Sequence, residues 1–187
     1  MPLKILLLRH GQTQGNLERR YIGSTDQPLC IQGRAALFNR TLPPVDRIYT
    51  SPLLRCGETA AILFPNQPAE PVYDLRECSF GAFENRTYEE LKDDPAYRAW
   101  LDTGGETSPP DGESKSEQKS RTLRAFHAIV SQHEAGTIAL VVHGGTIMTI
   151  LESLEPSHEF YRWQAENGCG YLCTWDGAGL TVETSIE

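Results

Sequence analysis

Two apolar runs constrain the fold of this chain more than any other feature of its sequence. Residues 3–8 and 137–142 are apolar at all but one position each, and a His-Gly pair follows each run within two residues. Such runs are typical of strands buried on both faces of a parallel sheet. Helical patterns lie between them, and the capping box of Ser114 and Glu117 marks the start of one helix. The order predicts an α/β fold, a three-layer sandwich with a mainly parallel central sheet, helices on both faces and a small helical insertion.

Length and composition indicate one globular domain. With 187 residues, of which 39% are hydrophobic and 22% charged, the chain is long enough to bury a core of its own. We expect a single domain over residues 1–187, with residues 82–114 as a lid or insertion within it. The opening apolar run is too short for a signal sequence or a membrane span, and the five cysteines lack a disulfide framework. We therefore expect a cytoplasmic protein.

The net charge narrows the range of partners. It is −8, and an acidic chain repels nucleic acid and anionic membranes, so we expect neither as a partner. An acidic chain can still bind a small anion where its few cations are gathered in one place. Nothing in the sequence indicates the oligomeric state.

Charged and aromatic side chains follow the expected strands. Arg9 and His10 end the first run, and His143 ends the late one. Arg55 lies in the first turn of a helix that we expect Ser51 to cap. Each residue alone is more typical of a structural role. Because open parallel sheets bind ligands beyond the carboxyl ends of their strands, the combination predicts that two histidines and two arginines converge on one rim.

This combination suits phosphoryl transfer. A phosphomonoester is a dianion that needs positive charge around its oxygens, and arginine binds phosphate in a planar, bidentate manner. A histidine nitrogen can act as the nucleophile, and a carboxyl group can protonate the leaving oxygen. Glu77, just after the third expected strand, is the first candidate for that acid, and Glu84 is the alternative.

Four motifs occur in order along the chain. They are Leu-Arg-His-Gly-Gln-Thr at 8–13, Ser-Pro-Leu-Leu-Arg at 51–55, Leu-Arg-Glu at 75–77 with Phe-Gly-Ala-Phe-Glu at 80–84, and Val-His-Gly-Gly at 142–145. Together they resemble the motifs of the histidine phosphatase superfamily, the phosphoglycerate mutase-like enzymes, over nearly the whole chain.

The resemblance implies a role for each rim residue. His10 would be the nucleophile that becomes phosphohistidine. Arg9, Arg55 and a protonated His143 would hold the phosphoryl oxygens. Glu77 would be the general acid in the first half-reaction and the base that activates water in the second, so the reaction favours mildly acidic to neutral pH.

The resemblance also implies supporting donors. Asn16 and the backbone of Gly23 and Gly144 would complete the phosphate site, and no metal or other cofactor is needed because the arginines and His143 supply the positive charge. Four positions depart from the family's usual residues: Gln12 replaces a frequent Glu, Cys30 stands where Thr or Ser often caps a helix, and Phe83 and Asn85 stand where Trp and Gly are usual.

The short chain favours net hydrolysis over a mutase reaction. Residues 97–101 and 108–114 resemble the α-ribazole phosphatase branch, which acts on a nucleotide-like ester in cobalamin biosynthesis, and similar segments occur in broad-specificity phosphatases. We therefore expect a metal-independent phosphomonoesterase for α-ribazole 5′-phosphate or a related small phosphorylated metabolite. The alternatives are a phosphoglycerate mutase and a non-catalytic phosphate-binding module.

Overall fold

A six-stranded sheet forms the centre of the molecule. The computed structural model describes residues 2–38 and 40–187. The strands are β1 (Leu3–Arg9), β2 (Arg47–Thr50), β3 (Ala69–Pro71), β4 (Gly136–Val142), β5 (Gly170–Trp175) and β6 (Leu180–Ile186). Their order is β3-β2-β4-β1-β5-β6; the first four are mutually parallel, whereas β5 pairs antiparallel with both β1 and β6. The predicted α/β fold with a mainly parallel sheet is confirmed.

The helices connect these strands. They are α1 (Gln14–Leu17), α2 (Ile31–Leu37), α3 (Leu54–Leu63), α4 (Tyr88–Leu91), α5 (Pro95–Asp102), α6 (Lys115–Val130) and α7 (Gly144–Leu154), with 3₁₀ turns at Tyr73–Leu75, Gly81–Phe83 and Tyr161–Trp163. The predicted capping box starts α6, where Ser114 and Glu117 bond to each other's backbone N–H groups. None of the helices described combines the length and apolar character needed to cross a membrane.

Both faces of the central strands are buried, which explains the unbroken apolar runs. Ile5 and Leu7 of β1 belong to one core cluster, which includes residues of α6 and α7, whereas Leu6 and Leu8 face a second that includes residues of α3. Successive side chains of a strand point to opposite faces, so a strand between two layers must be apolar throughout. This packing leaves the strand ends as the place where polar side chains can gather.

A third, smaller cluster lies outside the sheet layers. Phe83, Leu91 and Tyr97 are buried together, with Phe80 and Trp100 packed against them. Apart from Phe80, these side chains come from the region around α4 and α5, inside the stretch that we expected to be a lid. The stretch therefore has apolar packing of its own.

Candidate active site

The two sequence-predicted histidines lie side by side. Arg9 of β1 pairs with Val142 of β4, and the His10 N–H donates to the Val142 carbonyl over 2.9 Å. This parallel register places the residues that follow both strands at the same edge. The rings of His10 and His143 meet edge to face, with centroids 5.2 Å apart.

His10 presents one ring nitrogen for chemistry. Its Nδ1 lies 2.7 Å from the Gly11 carbonyl oxygen, which can only accept, so Nδ1 carries the proton and Nε2 keeps its lone pair. The side chain is 4% exposed, and burial, followed by the charges of Arg55 and Arg9, lowers the pKa of His10 well below its usual value. A neutral imidazole with a free Nε2 is the form that a nucleophile requires.

His143 is fixed by a serine. Its Nε2 lies 2.7 Å from Ser51 Oγ. Complete burial, followed by the charge of Arg55, lowers the pKa of His143 well below its usual value. The protein's own groups therefore favour the neutral ring, and the protonated His143 that we expect beside a bound phosphoryl group stays a prediction. A dianion beside the ring would oppose these effects by attracting a proton.

Carbonyl oxygens orient both arginines. The fully buried Arg55 donates to the carbonyls of Thr25 and Gly23 over 2.8 and 2.9 Å, and Arg9 donates to Ala165 over 2.8 Å. Nε of each guanidinium is buried without a hydrogen-bond partner. Two fixed cations with unused donors near the strand ends suit this edge to binding an anion.

Glu77 lies against the start of α7. Its two carboxylate oxygens accept from the Gly145 and Cys78 N–H groups, each over 3.0 Å. A Cβ at position 145 would lie 2.5 Å from Glu77 Oε1, so glycine is needed for this approach. Glu77 lines a cavity of about 550 Å³ together with Arg9 and His10. The carboxyl group and the nucleophile candidate therefore face the same space.

Glu84, the alternative acid, is occupied elsewhere. Its carboxylate accepts from the N–H groups of Gly23, Ser24 and Thr25 and from the Thr25 hydroxyl. Burial raises the pKa of Glu84, but bonds from Thr25, Phe80, Ser24 and Gly23 outweigh it and lower that pKa overall. Glu84 fixes the loop at 23–25, whose carbonyls hold Arg55.

This loop changes the role expected of Gly23. Its N–H donates to Glu84 over 3.1 Å, and its carbonyl accepts from Arg55. The expectation that this N–H binds the phosphoryl group is therefore wrong in this structure, because the Glu84 carboxylate already takes it. Gly23 acts by positioning Arg55.

The other two predicted donors are available. Asn16 Oδ1 accepts from the Thr13 N–H and from Asn167 Nδ2 over 3.1 and 3.2 Å, which leaves its amide nitrogen to donate. Gly144 is the first residue of α7, where N–H groups have no partner within the helix. Both residues line the cavity that holds His10.

Comparison with known proteins agrees with this arrangement. A family model described as the histidine phosphatase superfamily, branch 1, matches residues 5–186. The chain belongs to the histidine phosphatase superfamily. The prediction of the family, and of an enzyme of the phosphatase class, is confirmed.

The relatives of this histidine phosphatase carry different names. A bifunctional protein of Mycobacterium tuberculosis is 33% identical over 159 residues, which are 80% of this chain and 43% of that protein. The chain thus spans less than half of that relative. The adenosylcobalamin/alpha-ribazole phosphatase of Salmonella typhimurium is 26% identical, covering 89% of this chain and 88% of that protein. The 2,3-bisphosphoglycerate-dependent phosphoglycerate mutase 2 of Gloeobacter violaceus is 35% identical, covering 81% and 75%.

A solved structure shares the fold of this histidine phosphatase. The alpha-ribazole phosphatase from Shigella flexneri superposes with a TM-score of 0.84 at 23% identity, covering 100% of this chain and 96% of that chain. Within residues 2–38 and 40–187, no group of three or more His, Cys, Asp or Glu side chains is arranged to hold a metal ion.

Sequence reasoning missed several supporting residues of the histidine phosphatase site. We expected Ser51 to cap a helix, but α3 begins at Leu54 with Leu53 at the cap position, and Ser51 Oγ accepts from the Leu53 N–H and contacts His143 Nε2. Thr59 accepts from the Gly11 N–H and donates to the Arg55 carbonyl, which links the two anion-binding segments.

Arg121 was also missed. It is buried, forms a two-bond ion pair with Glu113, and donates to the carbonyls of Arg76 and Glu77. It therefore holds the segment that carries the candidate acid. The one feature of the sequence that could have revealed its burial is its position four residues before Ala125, on the buried side of α6.

Proposed function

We propose that this histidine phosphatase is a metal-independent phosphomonoesterase that works through a phosphohistidine at His10. The observation that carries the proposal is the hydrogen bond from Nδ1 to the Gly11 carbonyl, which leaves Nε2 free in a ring that lines a cavity with Arg9 and lies within the electrostatic influence of Arg55. A buried neutral imidazole beside fixed cations suits attack on a dianion.

The proposed first step forms a bond between His10 Nε2 and phosphorus and breaks the bond from phosphorus to the ester oxygen. Arg9, Arg55 and His143 hold the phosphoryl oxygens, with His143 protonated once the dianion is bound. Glu77 gives its proton to the leaving oxygen. In the second step Glu77 takes a proton from water, the water oxygen attacks phosphorus, and the P–N bond breaks to release phosphate.

Asn16 and the Gly144 N–H are proposed as further donors to the phosphoryl oxygens. The free amide nitrogen of Asn16 and the unpaired N–H at the start of α7 support this assignment. We also propose that residues 1–187 act as one domain with residues 82–114 as its lid, and that the enzyme works in the cytoplasm, for which the five free cysteines are the support.

The proposed substrate is α-ribazole 5′-phosphate or a related small phosphorylated metabolite. The name of the Salmonella relative, which aligns over most of both chains, supports this choice. The name of the Gloeobacter relative supports a phosphoglycerate mutase as the second candidate. A mutase would move phosphate between hydroxyl groups, whereas a phosphatase releases it to water.

Steady-state assays with EDTA present test the proposal. We expect the protein to release phosphate from α-ribazole 5′-phosphate and from p-nitrophenyl phosphate, and His10→Gln to abolish release, while the exposed-site control His127→Gln retains it. Loss of turnover in EDTA, or activity in His10→Gln, would refute the mechanism. Isomer formation from 3-phosphoglycerate without phosphate release would identify a mutase, and phosphate binding without turnover a non-catalytic module.

A further inference from the structure

A second cleft adjoins the catalytic cavity. It has a volume of about 640 Å³ and shares Tyr21, Glu77, Phe80 and Gly145 with the cavity that holds His10. Glu77 faces both spaces. The leaving group of the ester, which receives the proton of Glu77, would therefore extend into this second space. We call it the leaving-group cleft.

The walls of the leaving-group cleft are largely apolar. Trp100 and Leu101 come from α5, Met148 comes from α7, and Phe160 and Tyr161 come from the segment that follows α7. Aromatic and sulfur-containing side chains offer large contact areas to flat rings. This lining suits an aromatic group better than a small, strongly hydrated one.

The charges in the leaving-group cleft are already paired. Among the residues that the structure describes there, Lys115 is the only cation in the lining, and its Nζ lies 2.8 Å from Glu106 and 3.7 Å from Glu152. The Glu113 carboxylate is held by Arg121. The described lining therefore offers no unpaired cation that could bind a carboxylate or a second phosphate on the substrate. The cleft favours an uncharged leaving group for that reason.

Two side chains in the lining have a buried donor without a hydrogen-bond partner. Gln118 is 3% exposed, and its Oε1 accepts from Thr149 Oγ1 over 2.9 Å, whereas its Nε2 is buried without a hydrogen-bond partner. The Trp100 indole N–H in the same lining also has none. Buried donors are normally paired, and an unpaired one destabilises the fold unless a ligand supplies the acceptor.

We infer that Gln118 is a specificity-determining residue that donates through Nε2 to an acceptor atom on an uncharged aromatic leaving group held against Trp100 and Phe160. This inference rests on the proposed phosphatase function, because it assigns the part of the ester that is released. It predicts that the enzyme distinguishes two rings of equal shape by a single acceptor atom.

The test compares kcat/KM for esters that differ in one feature each. The substrates are 2-naphthyl phosphate, 6- and 7-quinolinyl phosphate, which add a ring nitrogen to the same shape, and glycerol 1-phosphate, which has no ring. For each ester, the kcat/KM of the variant is divided by that of the wild type, which cancels differences in intrinsic reactivity between the esters. The variants are Gln118→Met, Gln118→Glu and Trp100→Ala. Gln118→Glu removes the donor but keeps an acceptor for Thr149, and it serves if the Met variant fails to fold.

The matched control is Thr122→Val. The Thr122 hydroxyl is also buried and unpaired on α6, but Thr122 does not line the leaving-group cleft. Thr122→Val should keep or raise the melting temperature, since it removes an unsatisfied hydroxyl, whereas Gln118→Met removes an unsatisfied amide but also deprives the buried Thr149 hydroxyl of its acceptor. Only the change at Gln118 should depend on the substrate.

We expect Gln118→Met to lower kcat/KM about tenfold for at least one quinolinyl ester and to leave 2-naphthyl phosphate within about twofold. Trp100→Ala should lower the ratio for every aromatic ester and spare glycerol 1-phosphate. Equal ratios for all esters, or a wild type that prefers glycerol 1-phosphate, would overturn the inference and leave the proposed function intact. A wild type that hydrolyses none of the esters would overturn both.

Discussion

At the scale of single residues, backbone groups orient the side chains that chemistry needs. The Gly11 carbonyl sets the tautomer of His10, and two N–H groups hold Glu77. The sequence predicts which residue types gather at the strand ends, because that follows from parallel strands. It does not predict the contact between Ser51 and His143, which lie 92 positions apart, since the local pattern favours a cap for Ser51.

Ser51→Ala tests whether that hydroxyl supports His143. Without it, the buried Nε2 keeps only the weak contact with Cys56 Sγ over 3.6 Å, and we expect kcat/KM for p-nitrophenyl phosphate to fall about tenfold or more. Ser153→Ala is the control, because Ser153 Oγ bonds only to a carbonyl of its own helix. An unchanged kcat/KM in Ser51→Ala would show that His143 does not depend on this contact.

Gly145→Ala tests the placement of Glu77. The new Cβ would lie 2.5 Å from Glu77 Oε1, so the carboxyl group must move, and a misplaced catalytic group can cost about a hundredfold in kcat. The matched control is Gly57→Ala in α3, where nothing lies within 4 Å of the added carbon. Full activity in Gly145→Ala, measured beside a folded control, would argue against Glu77 as the acid.

At the scale of elements, local sequence signals are reliable where no site competes for the residue. The capping box at Ser114 starts α6 as predicted. Cys30, an unusual cap, still caps α2, because its Sγ accepts from the Gly33 N–H over 3.2 Å. Asn85 replaces the usual glycine at φ 57°, a left-handed conformation that Asn tolerates better than most residues.

The loop at 23–25 is the element that most depends on one side chain. Glu84→Gln replaces an acceptor-only carboxylate with an amide that brings unwanted donors, so we expect a loss of about 1–3 kcal/mol in the free energy of unfolding and a higher KM through Arg55. Glu134→Gln, at an exposed acid, is the control for loss of charge.

The loss in Glu84→Gln should depend on pH. Because folding lowers the pKa of Glu84, its stabilisation is complete above the usual value of 4.5 and is lost as the pH falls through the lower, folded-state value. Urea unfolding of wild type and variant should therefore converge in acid. A difference that stays constant with pH would mean that the carboxylate charge is not what holds the loop.

At the scale of the whole molecule, the fold concentrates positive charge in an acidic chain. Net charge is −8, yet Arg9 and Arg55 lie together because parallel β1, β2 and β4 end at one edge. That convergence could be predicted from the apolar runs. The walls of the leaving-group cleft could not, because they come from α5, α7 and the segment after α7, and nothing in the sequence shows that these separate segments meet.

Burial of two neutral histidines predicts acid sensitivity of the whole fold. Folding lowers the pKa of His10 and of His143, so the unfolded chain takes up protons below about pH 6.5 that the native state excludes. The stabilisation is complete above that pH and is lost as the pH falls, by up to about 1.4 kcal/mol per pH unit for each histidine.

Urea unfolding from about pH 5 to pH 8 measures this effect. His143→Gln should give a shallower pH dependence than wild type, whereas His127→Gln, on an exposed surface, should match wild type. Equal slopes for wild type and His143→Gln would mean that the buried ring is protonated in the folded state.

Trapping the covalent intermediate tests the central claim most directly. Wild-type protein is mixed with p-nitrophenyl phosphate, quenched within the first turnover under alkaline conditions that preserve phosphohistidine, digested and sequenced by mass spectrometry. We predict one added phosphoryl group on His10, attached at Nε2, and none in His10→Gln. A phosphoryl group on another residue, or full turnover without any phosphoryl group on the protein, would contradict the account.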